Sequence, residues 1–295
     1  MDQKYLVQCE KLPAYVVLCY KMDLSSGINT IVDLTAKELM GRWIELDRLW
    51  ITRNADVIAQ IWKNGFNRID VNTNSLSDEV NKLRIVNSKR FKFSLYAKSA
   101  VTGYKFKIGV WMYMPTIADK LLENVKLTDE EIAIAEELGV YDRFEKGIVP
   151  FTKDYIMERY THGDEWIYSI QETLTTDGLE YSYLSPSEDR FLVLKGISIM
   201  DTSAVTENAF CVIKADGVEV LKIPCSAMSI DEEIPLFIPA IETLSINFET
   251  DANVTDFRAR WRVGDFKLNN YLKMLYGIMK KEEDEELWKE VVAGI

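Results

Sequence analysis

Residues 61–71, IWKNGFNRIDV, set an Asn-Gly pair between two apolar, β-rich runs, and residues 212–223, VIKADGVEVLKI, repeat the arrangement with Asp-Gly. Both central residues of the tightest hairpin turn need φ > 0, which Asn, Asp and Gly tolerate, so each stretch predicts a β-hairpin. Two such hairpins about half a chain apart predict a duplication.

With the second half laid on the first at a shift of about 150 residues, other features coincide. LSSGINTIV from Leu24 falls on LTTDGLEYS from Leu174. In GRWIELDRLWI and DRFLVLKGISI, Arg42, Trp43, Ile44 and Leu46 fall on Arg190, Phe191, Leu192 and Leu194. RFKFSLYAKS falls on IETLSINFET, and YKFKIGVWMY on TDFRARWRVG, with Phe106 on Phe257. After that strand each half turns from period two to helical composition, TIADKLLENVKLTDEEIAIAEELGVYDRF in the first and LNNYLKMLYGIMKKEEDEELWKEVV in the second. The expected domains are residues 1–148 and 149–295.

Strands are expected near residues 15–24, 28–34, 43–52, 57–63, 66–72, 83–86, 91–97 and 104–114 of the first half. In the second half they are expected near 166–174, 179–184, 191–200, 209–215, 218–223, 235–238, 244–250 and 256–263. About eight strands with one tight hairpin, between the fourth and fifth, suit a jelly roll; a meander is the alternative. The expected fold is mainly β: two tandem antiparallel, jelly-roll-like β-sandwich domains, each followed by an α-helical extension.

The chain has 295 residues, 47% apolar and 28% charged, as soluble globular proteins do. Its net charge of -12 argues against clamping nucleic acid. No apolar run is long enough to span a bilayer, and the opening MDQKYLVQCEKLPAYVVLCYKMD carries charges where a signal peptide needs an apolar core. The four cysteines have no CxxC spacing, so free buried thiols in a reducing compartment are expected. Counting outward from Asp216 and Gly217 places Cys211 across from roughly Lys222, out of register for a bridge to Cys225.

His162 is the only histidine, which removes most metal sites and nearly all Ser-His or Cys-His arrangements. Its setting, RYTHGDEW, reads as a polar linker between the halves. GxGxxG, GxxxxGK[ST] and HExxH do not occur, so no enzymatic activity, cofactor or metal is expected. The carboxylates at Asp129, Glu130, Glu131, Glu136 and Glu137, and those from Glu282 to Glu286, lie on helical runs and read as solvated faces.

The last strands diverge. Phe257, Ala259, Trp261 and Val263 alternate with Arg258, Arg260 and Arg262, whereas Phe106, Ile108, Val110 and Met112 alternate with Lys107, Gly109, Trp111 and Tyr113. The candidate assembly or ligand surface is Lys105, Lys107, Trp111, Tyr113, Arg258, Arg260 and Arg262. It reads either as solvated sheet face or as a contact for the acidic helices of another copy. Trp43, Trp62 and Trp261 are expected in the core; Trp50 and Trp111 face outward, where an indole can platform a sugar ring. Leu268, Leu272, Leu275 and Met279 form an apolar helical stripe that must be buried somewhere.

In its element order the whole chain resembles the tandem-sandwich, or double jelly-roll, coat proteins of some viruses. The resemblance implies a structural component of a viral or phage-like particle (capsid, tail or spike), located in the virion or in the cytoplasm of the producing cell. Its partners would be further copies of itself or other particle proteins. The alternative reading is a carbohydrate-binding or host-attachment module with a glycan ligand at an exposed Trp such as Trp111.

Overall fold

Asn64 and Gly65 have φ of 51° and 78°, and Asp216 and Gly217 have 50° and 77°, the two successive positive values that a type I′ turn requires. These angles belong to a computed structural model that describes residues 14–74, 79–80, 83–148, 163–199, 209–227, 233–268, 281–282 and 284–295. His162, Cys9, Leu272, Leu275, Met279 and the boundary expected at 148/149 lie outside the described residues, wholly or on one side.

The first half contains β1 (Ala14–Leu24), β2 (Gly27–Thr35), β3 (Trp43–Ile51), β4 (Val57–Lys63), β5 (Asn67–Asn72), β6 (Glu79–Val80), β7 (Ile85–Asn87), β8 (Arg90–Ala97) and β9 (Val101–Tyr113). The second contains β10 (Gly163–Leu174), β11 (Leu179–Leu184), β12 (Arg190–Ile199), β13 (Phe210–Ala215), β14 (Val218–Pro224), β15 (Ile234–Ala240), β16 (Thr243–Glu249) and β17 (Val254–Lys267). All pairings are antiparallel. One sheet of the first half runs β1-β9-β3, with β6 and β7 beside β3, and the other runs β2-β8-β4-β5. In the second half the orders are β10-β17-β12-β15 and β11-β16-β13-β14. Strand by strand these orders are the same. Among the described strands only β4-β5 and β13-β14 join chain neighbours directly, which is the jelly roll and not the meander.

The repeat extends to irregularities. The first strand of each half carries a register shift at its end, between Met22 and Leu24 and between Glu172 and Leu174. The third strands carry another, between Leu46 and Arg48 and between Leu194 and Gly196. Each turn residue also ties its hairpin to the same distant loop. Asn64 Oδ1 accepts the backbone N–H of Ser88 at 2.8 Å and of Lys89 at 3.1 Å. Asp216 accepts those of Ile241, Glu242 and Thr243 at 3.0, 2.7 and 3.0 Å.

The two halves share a sheet. β15 pairs with β1 at Phe237 and Tyr15, which fuses the larger sheets into one of nine strands. β1 also packs along β14 and the 3₁₀ turn Cys225–Ala227, so it closes the side of the second sandwich where β14 and β15 lie. A single hydrophobic cluster runs through both halves. Cys19, Cys211 and Cys225 are buried at this joint. Burial pushes the Cys211 thiol up, with Cys225 and Cys19 adding to the effect.

Helices follow the first half: α1 (Ala36–Leu39) within it, then α2 (Ile117–Leu122), α3 (Asp129–Glu137) and α4 (Val140–Glu145). Thr116 and Thr128 cap α2 and α3, accepting from Asp119 and Glu131 backbone N–H in capping boxes. The C-terminal α5 (Glu285–Ala293) packs on these helices rather than on the second sandwich. Trp288, Val292, Ala293 and Ile295 join Ile117, Leu127 and Ile134 in a separate apolar cluster.

Three sequence readings shift. Cys211 lies opposite Ile223, not Lys222, because a bulge between Ile213 and Lys214 displaces the register by one. Met22 opposes Tyr104 where Glu172 opposes Phe257, so Tyr104 and not Phe106 is the counterpart of Phe257. A slip of two keeps every side chain on its face, which is why alternation alone does not reveal it. Trp62 lies on the outside of its sheet, with Lys92 Nζ 4.8 Å and the Arg68 guanidinium 5.9 Å from its ring.

Asp216→Ala removes three charge-assisted acceptor contacts and puts a Cβ-bearing residue without a local hydrogen bond at positive φ. It is expected to lower the unfolding free energy by about 2 kcal/mol in urea titration, with Asp216→Asn losing less than half of that.

Candidate functional site

The seven candidate residues lie on β9 and β17, the strands next to the outermost or joining strands of the fused sheet, and the structure does not gather them into one surface. Lys105 is exposed, opposite Lys21. Lys107, opposite Cys19 and Trp50, is only 8% exposed. Tyr113 is 5% exposed, set edge-on against Trp43 at 6.3 Å and packed with Val86 and Val125. Lys107 and Tyr113 therefore do not present a free face. The local alternation placed them outward correctly, but the packing that covers them comes from elsewhere in the chain.

Trp111 is half-buried at the joint between the halves. Its ring lies 5.0 Å from that of Tyr15 and 6.3 Å from that of Phe237. Beside it, Gly109 makes room for Tyr15 and Trp50: a Cβ there would fall 2.9 Å from Tyr15 Cζ and 3.3 Å from Trp50. Trp50 and Trp111 thus serve packing between elements instead of an open platform.

Two of the three arginines in the row are paired within the chain. Arg258 binds Asp256 at 2.7 Å. Arg262 Nε donates to Glu233 at 2.8 Å, and Nη1 reaches Glu165 at 3.2 Å; Glu165 in turn holds Lys195 at 3.0 Å. Hydrogen bonding to Glu233 raises the Arg262 pKa, and hydrogen bonding from Lys195 holds the Glu165 carboxyl below its ordinary value. Among the described residues, Arg260 alone of the three has no ion-pair partner. The acidic helix face is likewise met from within, by Lys281 on Glu130 and by Lys289 on Glu137 at 3.0 Å.

Sequence reasoning missed the apolar side chains left outside. On β10, Trp166 is 42% and Ile167 67% exposed; beside β5, Phe66 is 82% exposed and, on it, Ile69 42%. A signal existed for the first pair, because adjacent Trp and Ile must place one large apolar group on each face of a strand. Behind Trp166, Tyr168, Tyr181 and Tyr183 gather around Trp261, whose Nε1–H donates to Tyr183 Oη at 2.9 Å. Burial raises the Tyr183 phenol to about 12. Among the described residues, no group of three His, Cys, Asp or Glu side chains is placed to hold a metal ion, and no helix is long and apolar enough to cross a membrane.

No family model matches the chain, and no curated protein matches it in sequence. Solved structures that align along it include the tandem CBM51 modules of Sp3GH98, the family 98 glycoside hydrolase of Streptococcus pneumoniae SP3-BS71, at 12% identity over 84% of each chain with a TM-score of 0.23. A chain of Sulfolobus Turreted Icosahedral Virus aligns at 9% identity over 88% of this chain and 59% of its own, with a TM-score of 0.25. The CUB1-EGF-CUB2 region of human MASP-1/3 aligns at 10% identity over 85% of this chain and 99% of its own, with a TM-score of 0.23. At these scores none of the three carries an argument about this chain.

The ion-pair network sets an acid dependence. Because the folded-state pKa of Glu165 is depressed, its contribution is complete above the ordinary value of 4.5 and is lost as pH falls through the lowered one. Lys195→Met is expected to flatten the fall in melting temperature between about pH 5 and pH 3, measured by circular dichroism.

Proposed function

We propose that this protein is a non-enzymatic structural component of a viral or phage-like particle, a capsid, tail or spike protein that assembles with copies of itself. In this reading residues 1–148 and 149–295 are its two domains, and it works in the virion after synthesis in the producing cell. The observation that carries the reading is the edge-to-edge union of two jelly rolls of identical strand order into one nine-stranded sheet. Such a union makes one unit whose two halves are alike in fold and different in surface chemistry. Two of the candidate charges support the same reading: Arg258 and Arg262 are spent on internal pairs, which leaves exposed apolar groups on β10 and around β5 for association.

A second reading, a glycan-binding or host-attachment module, draws on Trp166, an exposed indole beside half-buried Tyr168 and Tyr181. Loss of binding on a glycan array in Trp166→Ala, with assembly absent, would favour it.

Light scattering over a range of concentrations, with electron microscopy of the same samples, tests the proposal. The expected result is discrete assemblies at multiples of 34.0 kDa. A monomer at every concentration and salt contradicts it.

A further inference from the structure

The joint between the halves has two sides, and each has a counterpart elsewhere in the chain. In the first half, the edge of β1 is taken by β15 and β14 of the second. Its counterpart in the second half is β10, which among the described strands ends the fused sheet and pairs with β17 only. The matched ends Leu24 and Leu174 place Val16 and Val17 in register with Trp166 and Ile167. Val16 and Val17 are buried under the joint, whereas Trp166 and Ile167 are exposed. The strand is twelve residues long, has neither Pro nor Lys, and leaves Trp166 and Ile167 between its acidic groups.

The other side shows the same contrast. Asn64 corresponds to Asp216, so Ile69 on β5 corresponds to Leu221 on β14. Leu221 is buried where β1 closes that side of the second sandwich, and Ile69 is not. The charges at both edges are largely paired within the chain, Glu165 with Lys195 and Arg262 on the β10 side and Lys63 with Glu123 and Arg68 with Asp70 on the β5 side, which leaves the apolar groups as the contrast between them.

We infer that these two ends bind each other between copies: β10 of one chain seats against β5 of the next, reproducing head to tail the contact that β1 makes with β14 inside the chain. This deepens the building-block reading and rests on it. A heterologous contact of this kind closes into a ring or runs on as a filament.

Two variants of the full chain, Ile167→Lys and Ile69→Lys, test the inference by light scattering, separately and mixed. Each alone spoils one end, so each is expected to run as a monomer. Mixed in equal amounts, they restore one intact junction per pair and should give a species of twice the monomer mass and no larger one. Recovery in the mixture also shows that each variant folds. If Ile69→Lys assembles like the parent while Ile167→Lys does not, β10 pairs with itself and the head-to-tail contact is wrong. If both variants assemble like the parent, the surface is wrong while the building-block reading stands. A parent chain that never assembles overturns both.

Discussion

The placement of β1 across the open side of the second sandwich is the constraint on which the rest depends. A jelly roll leaves two sides where its sheets end, and each exposes backbone groups and the rim of the core. Here one side of one half seals one side of the other. Tyr15 and Phe237 form the ladder, Trp111 packs against both, and the buried thiols of Cys19, Cys211 and Cys225 occupy the same joint. All of the first six residues of β1 are buried as a result, although the equivalent strand β10 is almost wholly exposed. One fold, used twice, acquires two different surfaces from a single long-range contact.

That contact also explains how the copies could diverge. Residues facing the joint are aromatic or small, as Trp111 and Gly109 are, while the corresponding strand of the other half carries Arg258 and Arg262, which pair with neighbouring carboxylates. The helices reinforce the union from another direction. α5 returns to α2 and α3, so the last described helix packs on the helices that follow the first sandwich. Lys281 and Lys289 bring positive charge to a helix pair rich in glutamate; such exposed pairs orient the helix more than they stabilise it.

The parts of the fold governed by local chemistry were legible in the sequence. Asn-Gly and Asp-Gly demand positive φ wherever they fall, so the hairpins could be read, and strand alternation located nearly every ladder. What alternation cannot carry is register across a bulge or a slip of two, hence the misplacement of Cys211 and of the Phe257 counterpart. The candidate surface was less legible. Lys107 and Tyr113 do face away from the sandwich core, but distant segments cover them, and Arg258 and Arg262 meet partners that only the fold brings near. Exposure at Ile69 and Ile167 depends on what is absent from an edge, and a single strand's sequence does not encode that.

If the joint makes one body of two jelly rolls, the halves should not unfold separately. Differential scanning calorimetry of the full chain measures this directly. The account predicts a single transition whose calorimetric and van't Hoff enthalpies agree. Two resolved transitions, or a calorimetric enthalpy about twice the van't Hoff value, would contradict it.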